Sequence, residues 1–261
     1  MNIDVTSIIL AAEKGGKVIN KYFGQVLDVE EKSNSSDFRT KADLESEQEI
    51  IKVLNKVFPK FNIYSEELGK VNNKSNYTFV IDPLDGSNNF VIGIPTFCVS
   101  IGLMKDDKIV AGVIHHPFLH ETYYALKGKG AFLQGKRLQV GKEANTNKAT
   151  VAYTCGYLTP NNFEEKLIHN LNKIKIKRLL QDWCPSYEMC LVAAGKIEAI
   201  INNHNDLYDY CAGKIIIKES GGLITDLKGH PEKNDKSDVF IASNGTKIHN
   251  DLLKIVKDFN Y

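Results

Sequence analysis

Apolar residues along this chain recur with two periods, one helical and one of strand type. Residues 3–23 place Ile3, Ile8, Ile9, Ala12, Val18, Ile19 and Phe23 at helical spacing, and Gly24 closes the run. Val26–Glu30 reads as a short strand. A polar, turn-rich loop from Lys32 to Asp43 then leads into a helix over Leu44–Phe58. Phe61–Ser65 and Tyr77–Ile81 are short bounded apolar runs, the pattern of buried strands. Strands over Cys98–Met104, Ile109–His115 and Thr122–Leu126 follow, separated by turns. A second half begins near Lys148. There Val151–Tyr153, Ala199–Asn202, Gly222–Asp226 and Val239–Ala242 predict strands, and Asn161–Leu171, Ser186–Ala194, Leu207–Glu219 and Thr246–Phe259 predict helices. The chain is therefore of mixed α+β class, without repeats or low-complexity segments.

Charge and composition narrow the function classes. A net charge of +1 from 33 basic and 32 acidic residues, with no basic stripe, argues against a nucleic-acid polymer or a membrane surface as partner. No run reaches transmembrane length and the first residues lack a secretory pattern. Five scattered cysteines without Cys-x-x-Cys argue against zinc and against a disulfide framework, so a reducing cytoplasm is expected. Arginine is confined to Arg39, Arg137 and Arg178, too few for a site built on bidentate clamps.

The candidate chemistry centres on Ile81–Phe90, Ile-Asp-Pro-Leu-Asp-Gly-Ser-Asn-Asn-Phe. Asp82 and Asp85 follow a strand, with Pro83 stiffening the turn between them. Gly86 supplies backbone freedom where a ligand must approach closely. Two hard carboxylates at a strand end suit Mg2+ beside a phosphate. A lone Asp-Gly would be an ordinary turn. The spacing fits neither an EF-hand, whose sixth and twelfth places would here be Ser87 and Gly93, nor a Walker loop.

The ten-residue string resembles the first signature of the inositol monophosphatase family, Asp-Pro-Ile/Leu-Asp-Gly-Ser/Thr-x-Asn-Phe. Leu207–Gly213, followed by Glu219-Ser-Gly-Gly222, is similar to the second, with Tyr208 for the usual tryptophan and Cys211 for alanine. Ser65-Glu66-Glu67 stands where that family has Gly-Glu-Glu. Gly128–Gly135 resembles its Gly-x-Gly-Ala-Phe hairpin rather than a dinucleotide loop. Lys32, Asp37, Thr40 and Asp43 match its spacing near the N-terminus. The resemblance covers nearly the whole chain.

Several expectations follow from it. The fold would be a layered α-β-α-β-α sandwich, one domain over 1–261, with a metal-site lobe of about 1–147 and a second lobe of about 148–261 contributing Asp209. The protein would be an Mg2+-dependent, lithium-sensitive phosphate monoester hydrolase and a homodimer. Glu66, Asp82, the Leu84 carbonyl, Asp85 and Asp209 would hold two or three Mg2+ ions. Glu66 with an Asp43–Ser87 pair would orient the attacking water, and the N–H groups of Gly86 and Ser87 would hold phosphate. Glu67, Lys32 and Asp37 would support them. Capping of the helix after Thr40 by itself explains Asp43, and a place in the first turn of a helix by itself explains Asp209. A phospho-aspartate is disfavoured, because Asp82 and Asp85 are three apart and both are needed as ligands.

Departures gather on the substrate side. Asn202, seven before Asp209, replaces a glutamate that binds inositol hydroxyls in the animal enzymes, and the resemblance implies that Asn202 and Asp209 contact the substrate; His204, Asn205 and Asp206 also differ. The substrates ranked are inositol 1-phosphate, then fructose 1,6-bisphosphate, 3′-phosphoadenosine 5′-phosphate and histidinol phosphate. A non-catalytic metal- or phosphate-binding regulatory protein on the same fold is the competing class. His115 and His116 lack ligand partners in the sequence and read as packing residues.

Overall fold

The computed structural model describes residues 3–25, 29–34, 37–157, 161–257 and 259, with the side chains of 31–34, 37, 38 and 161 outside that set. The first three elements to shape the site are the helices α1 (Val5–Tyr22) and α2 (Lys41–Val57) and the hairpin β1 (Val29–Asn34) with β2 (Asp37–Thr40). The hairpin is a correction to the loop expected over 32–43. It lacks apolar alternation and is held across the strands instead, where Glu30 faces Arg39 and its carboxylate accepts Arg39 Nε at 2.9 Å. Residues 26–28 of the expected first strand lie outside the described residues.

An eight-stranded sheet follows, in the order β10-β9-β8-β7-β6-β5-β3-β4. Its strands are β3 (Asn62–Ser65), β4 (Gly69–Val71), β5 (Tyr77–Asp85), β6 (Cys98–Lys105), β7 (Lys108–His116), β8 (Glu121–Leu126), β9 (Gly130–Leu133) and β10 (Lys136–Arg137). The short helix α3 (Ser87–Val91) leaves the end of β5. The second sheet, β12-β11-β13-β15-β14, uses β11 (Thr150–Cys155), β12 (Arg178–Leu180), β13 (Ala199–Asn203), β14 (Leu223–Thr225) and β15 (Val239–Ser243). The remaining helices are α4 (Asn161–Lys173), α5 (Pro185–Ala193), α6 (Leu207–Glu219) and α7 (Lys247–Val256).

Strand alternation explains the layering, because successive side chains point to opposite faces. Phe79 and Ile81 of β5 pack with Ile8, Ile19, Ile50 and Leu54 of α1 and α2. Val80, between them in sequence, faces the other way, into a core with Met189 and Ile216 of α5 and α6. That middle core also takes Ala152, Ile200 and Phe240 from the second sheet. The far face of the second sheet, with Val151, Ile201 and Ile241, is covered by Phe163, Leu167, Leu252 and Val256 of α4 and α7. The order is thus α-β-α-β-α, as the family resemblance implied. Strands covered on both faces read as continuous apolar runs, which is why they were visible in sequence.

α6 lies close upon the large sheet. A Cβ at Gly112 would meet the carbonyl oxygen of Ala212 at 2.7 Å, and one at Gly102 would meet Cys211 Sγ at 2.3 Å. Two glycines on adjacent strands therefore let the helix settle with its first turn over the end of β5.

Candidate active site

Parallel pairing brings the first two acids together. Ser65 of β3 is in register with Ile81 of β5, so Glu66, just past its strand, lies beside Asp82, and the Glu66 N–H donates to the Ile81 carbonyl at 3.1 Å. The pairing of β5 with β6 is irregular between Asp82 and Asp85, where Pro83 has no N–H to give. Within this bulge the Leu84 N–H donates to Asp82 Oδ1 at 2.9 Å. Gly86 follows at φ +86, and a Cβ there would meet the Thr96 carbonyl oxygen at 2.7 Å. Only glycine fits that position without strain.

α2 braces this end of the sheet with one face. Thr40 caps the helix, and its N–H and hydroxyl both donate to Asp43 Oδ2, at 2.7 and 2.6 Å. One turn on, the Ser46 hydroxyl donates to the Pro83 carbonyl at 2.9 Å. Glu47 Oε1 accepts the N–H groups of Glu67 and Leu68, at 3.2 and 3.0 Å, together with the Ser65 hydroxyl. Residues at 43, 46 and 47 share a helical face. Such buried polar positions on an amphipathic helix were a readable signal for Ser46 and Glu47, which sequence reasoning missed. The expected Asp43–Ser87 hydrogen bond is absent among the described residues: the capping box holds Asp43 instead. Glu67, whose side chain is buried, lies 3.7 Å from Arg39, which ties it to the hairpin. The side chains of Lys32 and Asp37 lie outside the described residues.

The last acid comes from the second half of the chain. Asp209 sits in the first turn of α6, where its Oδ2 accepts the Asp206 N–H at 2.8 Å. Asp82, Asp85 and Asp209 each offer a carboxylate oxygen within 4.8 Å of the others. They open, with Glu66, Leu84, Gly86 and Ser87, onto a cavity of about 600 Å³. Its outer wall includes Tyr157, Glu164, Trp183, Asn205 and Asp206. Asn202 corrects the sequence expectation. It is 0% exposed, its Nδ2 donates to the Asp238 carbonyl at 2.7 Å, and its Oδ1 accepts Asn205 Nδ2 at 2.8 Å. Strand alternation turns Asn202 inward, and Asn205 reaches the cavity instead.

Burial and mutual repulsion dominate the electrostatics. Burial first, then Glu66, Asp85 and Asp209, hold the Asp82 carboxyl well above its usual range. Asp209 is likewise raised by burial, Asp85 and Glu66. Burial lifts Asp85 to about 7 against the opposing Ser186 N–H, and lifts Asp43 to about 7 with help from Glu66. No lysine, arginine or histidine is among the described lining residues. A hard divalent cation with oxygen ligands supplies the positive charge this donor set lacks, so the residues fit Mg2+. A second grouping, Asp85 with Cys98 and Cys184, does not fit Mg2+, because two of its three donors are soft sulfurs and Mg2+ takes oxygen. Burial pushes the Cys98 thiol up to about 11 and that of Cys184 well above its range. His115 and His116 are held neutral by burial at about 4, in keeping with packing roles.

The sequence model of the inositol monophosphatase family matches residues 2–260. The chain belongs to the inositol monophosphatase family. It is a phosphoric monoester hydrolase of a metal-dependent phosphatase family, acting on small phosphorylated substrates. The chain is 34% identical over 245 residues to a Thermotoga maritima protein named fructose-1,6-bisphosphatase/inositol-1-monophosphatase, covering 94% of this chain and 92% of that one. It is 32% identical to an inositol-1-monophosphatase of Caulobacter vibrioides, covering 95% and 98%. Among solved structures, the extragenic suppressor protein suhB of Bartonella henselae superposes with a TM-score of 0.91 at 30% identity, covering 98% and 99%. No helix among the described residues is long and apolar enough to cross a membrane.

Proposed function

We propose that this phosphatase uses Mg2+ to hydrolyse inositol 1-phosphate and related ring phosphates. The observation that carries the reading is the approach of Asp82, Asp85 and Asp209 to within 4.8 Å in a cavity without cationic side chains among its described residues. Glu66, Asp82, the Leu84 carbonyl, Asp85 and Asp209 would hold two or three Mg2+ ions. When bound, such ions neutralise phosphoryl oxygens and make water a stronger nucleophile at neutral pH. Glu66 would orient water toward the phosphorus. Asp43, anchored on Oδ2 by Thr40, would keep Oδ1 for that water. The N–H groups of Gly86 and Ser87 would receive phosphate oxygens, and Asn205 with Asp206 would meet the hydroxyls of the alcohol part.

The substrate order is supported by relatives named inositol-1-monophosphatase and by the lack of a described cationic side chain to receive a second phosphate. Five free cysteines support a cytoplasmic location, and the family resemblance supports a homodimer of two metal-site lobes (about 1–147) and two second lobes (about 148–261). A relative at 33% identity named Nus factor SuhB favours, as a second reading, a binding role beside catalysis. Purified protein with Mg2+ should release phosphate from inositol 1-phosphate faster than from fructose 1,6-bisphosphate, 3′-phosphoadenosine 5′-phosphate or histidinol phosphate, and lithium should slow it. A different best substrate would overturn the order, and no release from any would move the function to binding.

A further inference from the structure

Between β12 and α5 the chain makes a turn over residues 181–184 that meets the site on two sides. Its inner side is fastened through both backbone polar groups of Asp182. The Asp182 N–H donates to Glu188 Oε1 at 3.2 Å, and the Asp182 carbonyl accepts Asn89 Nδ2. Asn89 lies two residues beyond Ser87 in α3, and its Nδ2 also donates to the Thr96 carbonyl at 2.8 Å. Glu188 is fully buried in the middle core. Burial first, then Asp182, pushes its carboxyl well above the usual range. A buried acid set beside a second acid, Asp182, is costly unless its oxygens do something an apolar side chain cannot. Here that task is to hold the turn.

The turn then delivers three contacts to the carboxylate cluster. Cys184 Sγ donates to the Asp85 carbonyl at 3.5 Å. The Ser186 N–H donates to Asp85 Oδ2 at 2.7 Å, and the Ser186 hydroxyl donates to the Asp209 carbonyl, also at 2.7 Å. One residue therefore links the two acids that come from opposite ends of the fold. On the outer side, Trp183 takes φ +55 and leaves 61% of its surface exposed on the cavity wall, where Tyr157 is 57% exposed. A tryptophan held in the left-handed region persists only where its surroundings over-determine it, and the bonds from Asn89 and Glu188 do so.

We propose that this turn is a two-sided positioning element: Ser186, held through Glu188 and Asn89, fixes the spacing of Asp85 and Asp209, while Trp183 forms a stacking wall for a ring in the alcohol part of the substrate. The inference rests on the phosphatase reading above and adds the residues that set ion affinity and leaving-group preference. Aromatic faces favour the C–H face of a cyclitol or sugar ring, or an aromatic ring, over an open chain that must lose more freedom to lie flat.

Two quantities separate the sides: the Mg2+ concentration for half-maximal hydrolysis, and the ratio of KM for glycerol 1-phosphate to KM for inositol 1-phosphate. Glu188→Ala should raise the Mg2+ requirement about tenfold or more, the usual cost of losing an outer partner of a metal site, and, because Glu188 also holds the Trp183 turn, should lower the KM ratio as well. Glu188→Gln keeps a neutral acceptor and should restore both. Trp183→Ala should cut the KM ratio roughly fivefold, within what an aromatic contact contributes, with Trp183→Phe retaining most of it and the Mg2+ requirement unmoved in both. A wild-type Mg2+ requirement in Glu188→Ala overturns the inner role, and an unchanged ratio in Trp183→Ala overturns the outer one. If Glu188→Ala does not fold, Asn89→Ser, too short to span to Asp182, carries the same test. If wild type releases no phosphate from either ester, the phosphatase reading and the Trp183 role fail together. The Ser186 role is then decided by Mg2+ calorimetry, where Glu188→Ala must still bind about tenfold more weakly.

Discussion

The Ser186 N–H and the Asp85 carboxylate meet at 2.7 Å although 101 positions separate them in the chain. The same serine's hydroxyl holds the Asp209 backbone, so Asp85 and Asp209 are tied through one residue and form a single unit with Asp82. Removing an acid from such a unit costs more than removing an outer support, which typically costs about 10- to 100-fold. Asp209→Ala and Glu66→Ala should each lower kcat/KM by more than about 100-fold with the fold retained, as checked by phosphate release beside circular dichroism.

Stability without metal should fall as pH rises from 6.5 to 8. Asp43 and Asp85 are raised from 3.8 to about 7 in the folded protein. Between those values the folded form binds more protons than the unfolded one, so their contribution is full below about 3.8 and is lost as pH rises through about 7. His115 and His116 act oppositely: lowered from 6.5 to about 4, they add stability as pH rises, and that gain is complete near 6.5. Above it the carboxylates decide. Thermal melts in EDTA should show Tm lower at pH 8 than at 6.5, and Mg2+ should erase the difference. A Tm that rises over this interval in EDTA would contradict the assignment of repelling carboxylates.

Gly86→Ala should damage both stability and turnover. The substitution puts a Cβ at φ +86 and 2.7 Å from the Thr96 carbonyl oxygen, a backbone atom that cannot swing aside. Strained left-handed residues cost about 1–3 kcal/mol, and chemical denaturation should show a loss of that order. Relief of the clash must move either the β5 bulge or the 94–97 segment, so kcat should fall as well.

Lys214 anchors the connection between β14 and β15 beneath α6. Its ammonium, wholly buried, lies 2.5 Å from Glu232 and 2.6 Å from the Ser237 carbonyl, between the rings of Tyr210 and Phe240. Lys218 stays 3.5 Å from Glu232 and offsets part of the charge left behind, so Lys214→Met should lose somewhat less than the ~3–5 kcal/mol of a fully broken buried pair. Adding Glu232→Met should recover most of that loss. Simple additivity of the two losses in denaturant melts would refute the pairing.

The acids were legible because family-like strings place them where strands end and a helix starts. Glu66 and Asp82 follow buried apolar runs, and the parallel pairing of β3 with β5 sets them side by side. Asn202 misled because its offset from Asp209 is a distance along the chain, while strand alternation decides which face it shows. Ser186, Glu188 and Asn89 were silent for a different reason. A serine opening a helix reads as a cap, a glutamate in its first turn reads as a dipole partner, and neither pattern reveals a contact about a hundred residues away. The β1–β2 hairpin escaped notice because an ion pair, not an apolar face, holds it. Short β12 and five-residue α3 fall below the length at which periodicity speaks.

The most direct test of the metal-centred account is phosphate release from inositol 1-phosphate while Mg2+ is titrated, with Asp209→Asn run in parallel. The account predicts saturable dependence on Mg2+, full reversal by EDTA, and loss of turnover in the variant at every Mg2+ concentration that saturates wild type. Release that persists in EDTA, or wild-type turnover in Asp209→Asn, would contradict it.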